Sequence, residues 1–480
     1  MKRMSFVFAI TIPMVLCAAS GYASYTNSLT NLSANWISNP AGRLAATDSA
    51  DGVAMNPAGL VRMEDGIHVH FSSQSIDNHY KIRVEDAYPG QKVTEQNKPS
   101  KFVPSLYVNR KRGDWSFFGG VNIYGGGGSL YFEDGTPNLN MAVWGIEALA
   151  ARSSMLTGSP VDPWSNGKKY FNLSPDPNQA LGAGVSSEML SMMPAFSFGA
   201  AYAVSSRFSV AGGARIIYGQ QTIKIAARSA GLYGGKDTLY DAEWTTLGGL
   251  LFASVNYRPV ERLNLAAMVE SWAPMKWKVD VKEDLSHRSP AFNNEHALSS
   301  MSGYIDGRTF RFDEPAKLFL GADYALTQAL NVNAMFMLYM PMWGEYKKPT
   351  SSTPNNPQTG TTYTLNETDY DLDPGFEAGV GADWKISANT TLSTGLVYNR
   401  INYRDNYHSE LVMKNDLFNV GAGIKTQVNH RFIIGVGYMR NIYFDAKNSD
   451  QIKDPTGRSY EATYSKKANV LAFSLEYRFM

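Results

Sequence analysis

The chain is poor in the residue types that most folds and most chemistries need. A single cysteine, Cys17, and seven histidines in 480 residues leave little material for a disulfide framework or a metal centre. Charged residues make up 18 %, against about a quarter in soluble proteins. The formal net charge of +1 gives no basic face for nucleic acid or another polyanion. Past the N-terminus there is no run of about eighteen apolar residues, so no helix is long enough to cross a bilayer. The mean hydropathy is slightly negative.

Glycine and aromatics are abundant: 42 Gly, 27 Tyr and 23 Phe. Few charges, many aromatics and much glycine without apolar runs suit a wall whose side chains alternate between lipid and lumen. The length would allow two or three soluble domains, yet the composition points to one large all-β unit. At the N-terminus, Lys2 and Arg3 precede an apolar stretch from Met4 to Leu16, and Gly21-Tyr22-Ala23 offers a small-x-small cleavage site. Residues 1–23 therefore read as a secretory signal peptide. A lipoprotein signal would need a small residue before Cys17, where bulky Leu16 stands. Cleavage after Ala23 would leave a mature chain without cysteine, which suits an exported protein.

Residues 24–65 show no strand alternation, and Asn39-Pro40 and Asn56-Pro57 mark turns there. From Ile67 to the end the pattern is strand after strand, fourteen in all, an even number as bacterial single-chain barrels have. Leu471, Phe473, Leu475, Tyr477 and Phe479 share one face opposite Ser474, Glu476 and Arg478. Phe376, Ala378, Val380, Ala382 and Trp384 oppose Glu377, Gly379, Gly381 and Asp383 in the same way. Tyr202, Tyr257, Tyr324 and Trp343 gather at strand ends, where interfacial girdles belong. Short and long connections alternate without a break, as periplasmic turns and external loops do. The expectation is an all-β, 14-stranded antiparallel transmembrane β-barrel over residues 66–480, with both termini in the periplasm of a Gram-negative envelope.

The longest connection, Gly125–Ser191, carries Leu139, Val143, Trp144, Ile146 and Leu149 at helical spacing. This predicts an amphipathic helix able to pack on the barrel mouth or meet an apolar ligand, with a weaker helical stretch over Ala180–Met193. Catalytic constellations are not evident. His68 and His70 share one face of the first strand but lack a third metal ligand. Gly125–Gly128 lacks the Lys-Ser/Thr of a phosphate loop and reads as a flexible strand end. No serine and histidine occupy matching lipid-facing positions. Neither enzyme activity, a metal nor a cofactor is expected. The strand phase places Arg215, Glu270, Asp323, Glu377, Asp383, Glu476 and Arg478 toward the lumen. There they can pair across strands, or a basic one can meet a ligand carboxylate.

The segment Ala45-Ala46-Thr47-Asp48-Ser49-Ala50-Asp51-Gly52-Val53-Ala54-Met55-Asn56-Pro57-Ala58-Gly59-Leu60 precedes the first strand. With Val103-Pro104-Ser105-Leu106-Tyr107, Trp115-Ser116-Phe117 and Glu314-Pro315 before Leu320-Gly321, it makes the chain resemble the long-chain fatty-acid outer-membrane transporters (FadL type). That family also includes aromatic-hydrocarbon channels. The resemblance implies that residues 24–65 fold inward as a hatch, or plug, containing Asn56, Pro57 and Ala58. It implies apolar cargo caught at an external groove built partly by loop helices, held in a pocket touching the hatch, and released sideways where the third strand bends. Gly119 and Gly120 are the expected bend, since glycine weakens strand pairing. The partners implied are long-chain fatty acids or other hydrophobic small molecules, outer-membrane lipid and lipopolysaccharide, and the barrel-assembly machinery, for a monomeric chain that binds no nucleic acid. Two alternatives stand beside fatty-acid uptake: an aromatic-hydrocarbon channel of the same fold, and a surface binding or adhesion protein acting through its external loops. Met480 after Phe479 departs from the aromatic end usual in barrels.

Overall fold

The computed structural model describes residues 32–86, 92–140, 185–227, 238–284, 304–351, 365–369, 372–401, 408, 410, 413–453 and 458–479. The signal peptide, the first residues of the expected hatch and Met480 lie outside the described residues. Fourteen antiparallel strands close into a ring. They are β1 (Gly66–Val84), β2 (Ser100–Arg112, preceded by Val93–Gln96), β3 (Trp115–Phe132), β4 (Val185–Ala203), β5 (Phe208–Ala227) and β6 (Thr238–Val260). There follow β7 (Leu263–Glu270 and Lys276–Asp284), β8 (Thr309–Arg311 and Ala316–Ala325), β9 (Leu330–Met340) and β10 (Gly375–Lys385). The last four are β11 (Thr390–Arg400), β12 (Leu417–Gln427), β13 (Phe432–Tyr443 and Ala446–Lys453) and β14 (Ser459–Phe479). Each pairs with its sequence neighbour, and β14 pairs with β1 from Ile67↔Phe479 to Val84↔Ala462, which removes both sheet edges. A small hairpin, Lys347–Ser351 with Leu365–Asp369, extends β9 and β10.

Outside its bulges and interruptions the wall keeps a two-residue period. In β14, Leu471 and Phe473 are exposed while Ala472, Ser474 and Glu476 are buried. In β1, Ile67 and Phe71 face out, and His68, His70, Ser72 and Gln74 face in. The outward set forms an apolar belt. Aromatics gather toward its rims, where the Trp115 ring meets Tyr202 at 4.7 Å and Phe432 meets Tyr477 at 4.7 Å. Leu471, opposite Tyr438 midway along β13, sits near the centre of the belt. Leu471→Arg is expected to lower barrel stability by about 2–4 kcal/mol, read from urea unfolding in lipid vesicles, with Leu471→Ala far milder.

Three expectations change. The long insertion is shorter than expected, because β3 continues through the glycine run to Phe132 and β4 begins at Val185. The second helical stretch, Ala180–Met193, is therefore strand from Val185 onward. The seventh and eighth strands, which the sequence pattern reads as the continuous spans Arg262–Lys282 and Arg311–Ala325, are interrupted at residues 271–275 and 312–315. Pro274 and Pro315 supply the reason, since neither can donate to a ladder.

Candidate functional site

Inside the ring lies residues 32–65, almost wholly buried. A short helix, α1 (Ala34–Ser38), is capped by Ser33, whose hydroxyl accepts from Trp36 N. Two 3-10 turns, Ala50–Val53 and Pro57–Arg62, follow. The segment is tied to the wall on many sides. Tyr107 OH and Ser105 Oγ donate to Leu32 O at 2.8 and 3.0 Å. Ala34 N donates to Ser72 Oγ at 2.9 Å. Asn39 Nδ2 donates to Asn333 Oδ1 at 2.6 Å and to Asp383 Oδ2 at 3.2 Å. Asn264 Nδ2 reaches Ala45 O at 2.6 Å, and Lys425 pairs with Asp48. Ser49 joins His70 and Glu476.

Asn56, Pro57 and Ala58 have distinct tasks. Asn56 folds the segment back by donating from Nδ2 to Ala46 O at 2.9 Å. Pro57 opens the 3-10 turn, where its missing N–H costs nothing. Ala58 is clamped between strands: its N–H donates to Ser254 Oγ at 3.0 Å, and its carbonyl accepts from Ser209 Oγ at 2.7 Å. Opposite the clamp, α1 and Asn39 lie directly on backbone. A Cβ added at Gly381 or Gly395 would overlap the Asn39 side chain, and one at Gly421 would overlap the Ile37 carbonyl. Only glycine admits so close an approach.

Beside this segment the lumen holds a buried ionic cluster. Arg215 pairs with Glu270, and its Nε donates to Ser197 Oγ at 2.8 Å. Tyr124 OH donates to Glu270 Oε2 at 2.9 Å and accepts from Lys317. Lys317 sits 3.7 Å from Glu314 Oε2 and 4.1 Å above the Tyr124 ring. Tyr339 OH donates to Glu377, and Asn399, Asn419 and Asn441 continue the polar stripe along β11 to β13. Of the lumen charges read from sequence, Arg215, Glu270 and Glu377 enter this neighbourhood. Asp383 instead holds Asn39 and Ser393. Asp323 accepts from Asn333, and Arg478 pairs with Glu476. Tyr124 and Lys317 were missed. Lys317 shares the inward phase of Asp323, so the same alternation marks it.

The wall next to Tyr124 is open. β2 and β3 pair only from Leu106↔Val121 to Arg112↔Trp115. Beyond Val121 the β3 register against β4 shifts twice, leaving Tyr124 and Gly127 as extra residues, and Gly126 takes φ 73°. The bend expected at Gly119 and Gly120 is therefore displaced. Both glycines pair regularly with Val108 and Tyr107 on one side and Phe198 and Ser197 on the other. The irregularity falls at residues 124–127, where two bulged residues and a positive φ at Gly126 interrupt the register with β4. A depression of about 660 Å³ elsewhere, lined by Tyr324, Val332, Val380 and Leu396, belongs to the lipid-facing set and opens outward rather than to the lumen.

At the mouth, Leu139 is buried at the start of a helix at 137–140. Val143, Trp144, Ile146 and Leu149 lie outside the described residues. Glu410, between β11 and β12, accepts from Asn138 N at 2.6 Å. Burial pushes its carboxyl up to about 7, opposed by hydrogen bonds from Thr136, Asn138 and Leu139. A carboxyl whose folded pKa is raised contributes stability below its unfolded value that is lost as pH rises through the folded one. Once exchange is corrected for its intrinsic base-catalysed rate, the amides of Thr136 and Asn138–Asn140 are accordingly expected to be more protected at pH 5 than at pH 8, and Glu410→Gln is expected to flatten that difference in protection.

No known protein family and no curated protein matches the sequence. Solved structures match over nearly the whole chain. A FadL homologue of Pseudomonas aeruginosa aligns with TM-score 0.62 at 13 % identity, covering 96 % of this chain and 100 % of its own. The P. putida toluene transporter TodX aligns at 0.56 and 13 %, covering 91 % and 96 %. The Ralstonia pickettii toluene transporter TbuX aligns at 0.54 and 13 %, covering 93 % and 100 %. At this identity the likeness shows the fold alone: a closed fourteen-stranded barrel like those of these structures.

Proposed function

We propose that this barrel sits in the outer membrane as a passive channel for long-chain fatty acids or similar hydrophobic compounds, with residues 24–65 as its hatch. The observation that carries the reading is the stretch of β3 beyond Val121 that has no strand partner on its β2 side while it stays paired with β4, in a barrel whose interior is occupied by residues 32–65. An occupied lumen gives small polar solutes no direct route. Unsatisfied backbone is tolerated at membrane depth only where it lines a cavity or faces protein, so a ladder that stops beside a buried cluster favours lateral release. Release into lipid also spares an acyl chain its return to water, worth about 0.8 kcal/mol per CH₂. Capture at an external groove near Leu139 would start the path. Arg215 and Lys317 would meet the carboxylate, and Tyr124 would stand at the exit.

A second reading has its own observation. Arg215 and Lys317 are already matched by Glu270, Glu314 and Glu377, so the cluster holds no surplus positive charge. That suits a neutral aromatic hydrocarbon, as the names of the TodX and TbuX neighbours suggest. Uptake of labelled oleate and labelled toluene by a deletion strain carrying this protein separates the two. Oleate uptake restored without toluene uptake supports the fatty-acid reading, and toluene alone overturns it. Deleting Tyr124 and Gly127 together, which keeps the in–out phase of β3 while removing both bulges, is expected to cut uptake by at least half. Tyr124→Phe, which keeps the bulge, is expected to cut it much less.

A further inference from the structure

The wall has a second interruption, on the β6 side of β7. β6 pairs with β7 from Phe252↔Glu270 toward the periplasmic turn and resumes at Thr245↔Lys278. Thr246 to Leu251 have no register partner on β7. Leu251 alone among them is tied to it by described backbone hydrogen bonds, through Ser271 N to Leu251 O at 2.9 Å. On its other side the same stretch of β6 pairs without a break with β5. β7 has stepped inward: a Cβ added at Gly248 would overlap Met275 and lie 2.7 Å from the Pro274 carbonyl, and Met275 is fully buried. β8 moves with it, since Ala273 and Glu314 exchange both backbone hydrogen bonds at 3.0 Å.

The step leaves a gap on the membrane side. Leu247 and Leu251 are each 68 % exposed there and Trp272 is 42 % exposed. Gly249, between the leucines, faces the same way and its backbone makes no hydrogen bond to residues 271–275. Unpaired backbone in the hydrocarbon zone costs several kcal/mol unless it borders a polar or hydrated space. Met275 and Pro274 pack behind Gly248, and the polar groups lie at the Phe252 end of the gap, where β7 breaks off at Glu270. Glu270 ends the first half of β7, Glu314 faces Ala273, and Tyr124 links Glu270 to the β3 bulge. The ionic cluster therefore borders both interruptions.

We propose that the β6–β7 gap is a second lateral passage between the barrel interior and the membrane, used by the same single-chain hydrophobic cargo. The proposal rests on the channel reading above. Glycine at 249 keeps the passage clear, and Gly248 lets β7 step behind β6. A Cβ at Gly249 meets nothing nearer than the Arg215 carbonyl at 3.4 Å, so Gly249→Trp fills the gap without disturbing the strand. Gly212→Trp, outward-facing on the unbroken wall of β5, is the control. In a deletion strain, Gly249→Trp is expected to lower oleate uptake by about half relative to Gly212→Trp. Combined with the Tyr124/Gly127 deletion, it is expected to lower uptake to background. A diazirine-bearing fatty acid is expected to label Trp272 in a manner competed by excess oleate, whereas labelling at Leu471 on unbroken wall is not competed. Full uptake by folded Gly249→Trp, with uncompeted labelling at Trp272, would overturn the second passage while leaving the channel reading intact. Absence of uptake by the unmodified protein would overturn both.

Discussion

Replacing Gly381 and Gly421 together by valine is expected to unseat the inner segment proposed as a hatch and let sugars through a barrel that is otherwise intact. The two glycines lie on β10 and β12, where the wall backbone carries Asn39 and α1 directly. Each valine would drive a side chain into atoms already in contact. Overpacking costs roughly 1–3 kcal/mol per site. Two such sites give at least about 2 kcal/mol, a change of roughly 30-fold in the ratio of seated to unseated hatch. The strands themselves gain from β-branched residues, so heat-modifiable electrophoretic mobility, the mark of a folded barrel, is expected to persist. Liposome swelling in sugars is then expected to be slow with the unmodified protein and fast with the variant. Equal, slow swelling of both would show that the glycines are not what seats the segment.

The other large effect concerns Arg215. Its guanidinium is buried against Glu270, Ser197 and the Tyr124 ring, 4.9 Å from the ring centroid. Arg215→Met keeps the volume but strands the Glu270 carboxylate in a place it cannot leave. Removing one partner of such a pair costs about 3–5 kcal/mol. Lys317, held at the same Tyr124 hydroxyl, is the remaining cation and places the effect at the lower end of that range. Since the penalty belongs to the orphaned charge, Arg215→Met combined with Glu270→Leu is expected to recover most of the stability. Urea unfolding of the two single variants and the double variant closes the cycle. A double variant as unstable as the sum of the singles would contradict this account.

The strands and their facing were legible because the lipid belt imposes a two-residue alternation on every transmembrane strand, as in Leu471 to Phe479 against Ser474 and Glu476. The lumen phase of Arg215, Glu270 and Glu377 followed from the same alternation. What alternation cannot show is where a ladder stops. Ser271 to Met275 keeps the apolar character of the strand around it, and only Pro274 and, at the matching level, Pro315 mark the step. The glycine run at 125–128 reads as a flexible strand end because glycine is a poor strand former, although β3 continues through it with one bulge just before it at Tyr124 and one within it at Gly127. Gly119 and Gly120, with the same composition, pair regularly. The joining of Tyr124, Lys317 and Glu270 is a matter of closure across the ring, which no local pattern contains.

Transport through the wall around a closed hatch is tested most directly in proteoliposomes holding this protein alone, with oleate transfer and sucrose permeation measured on the same preparation. The account predicts oleate transfer well above protein-free vesicles and sucrose permeation indistinguishable from them. Free sucrose permeation, or oleate transfer no faster than in protein-free vesicles, would contradict it.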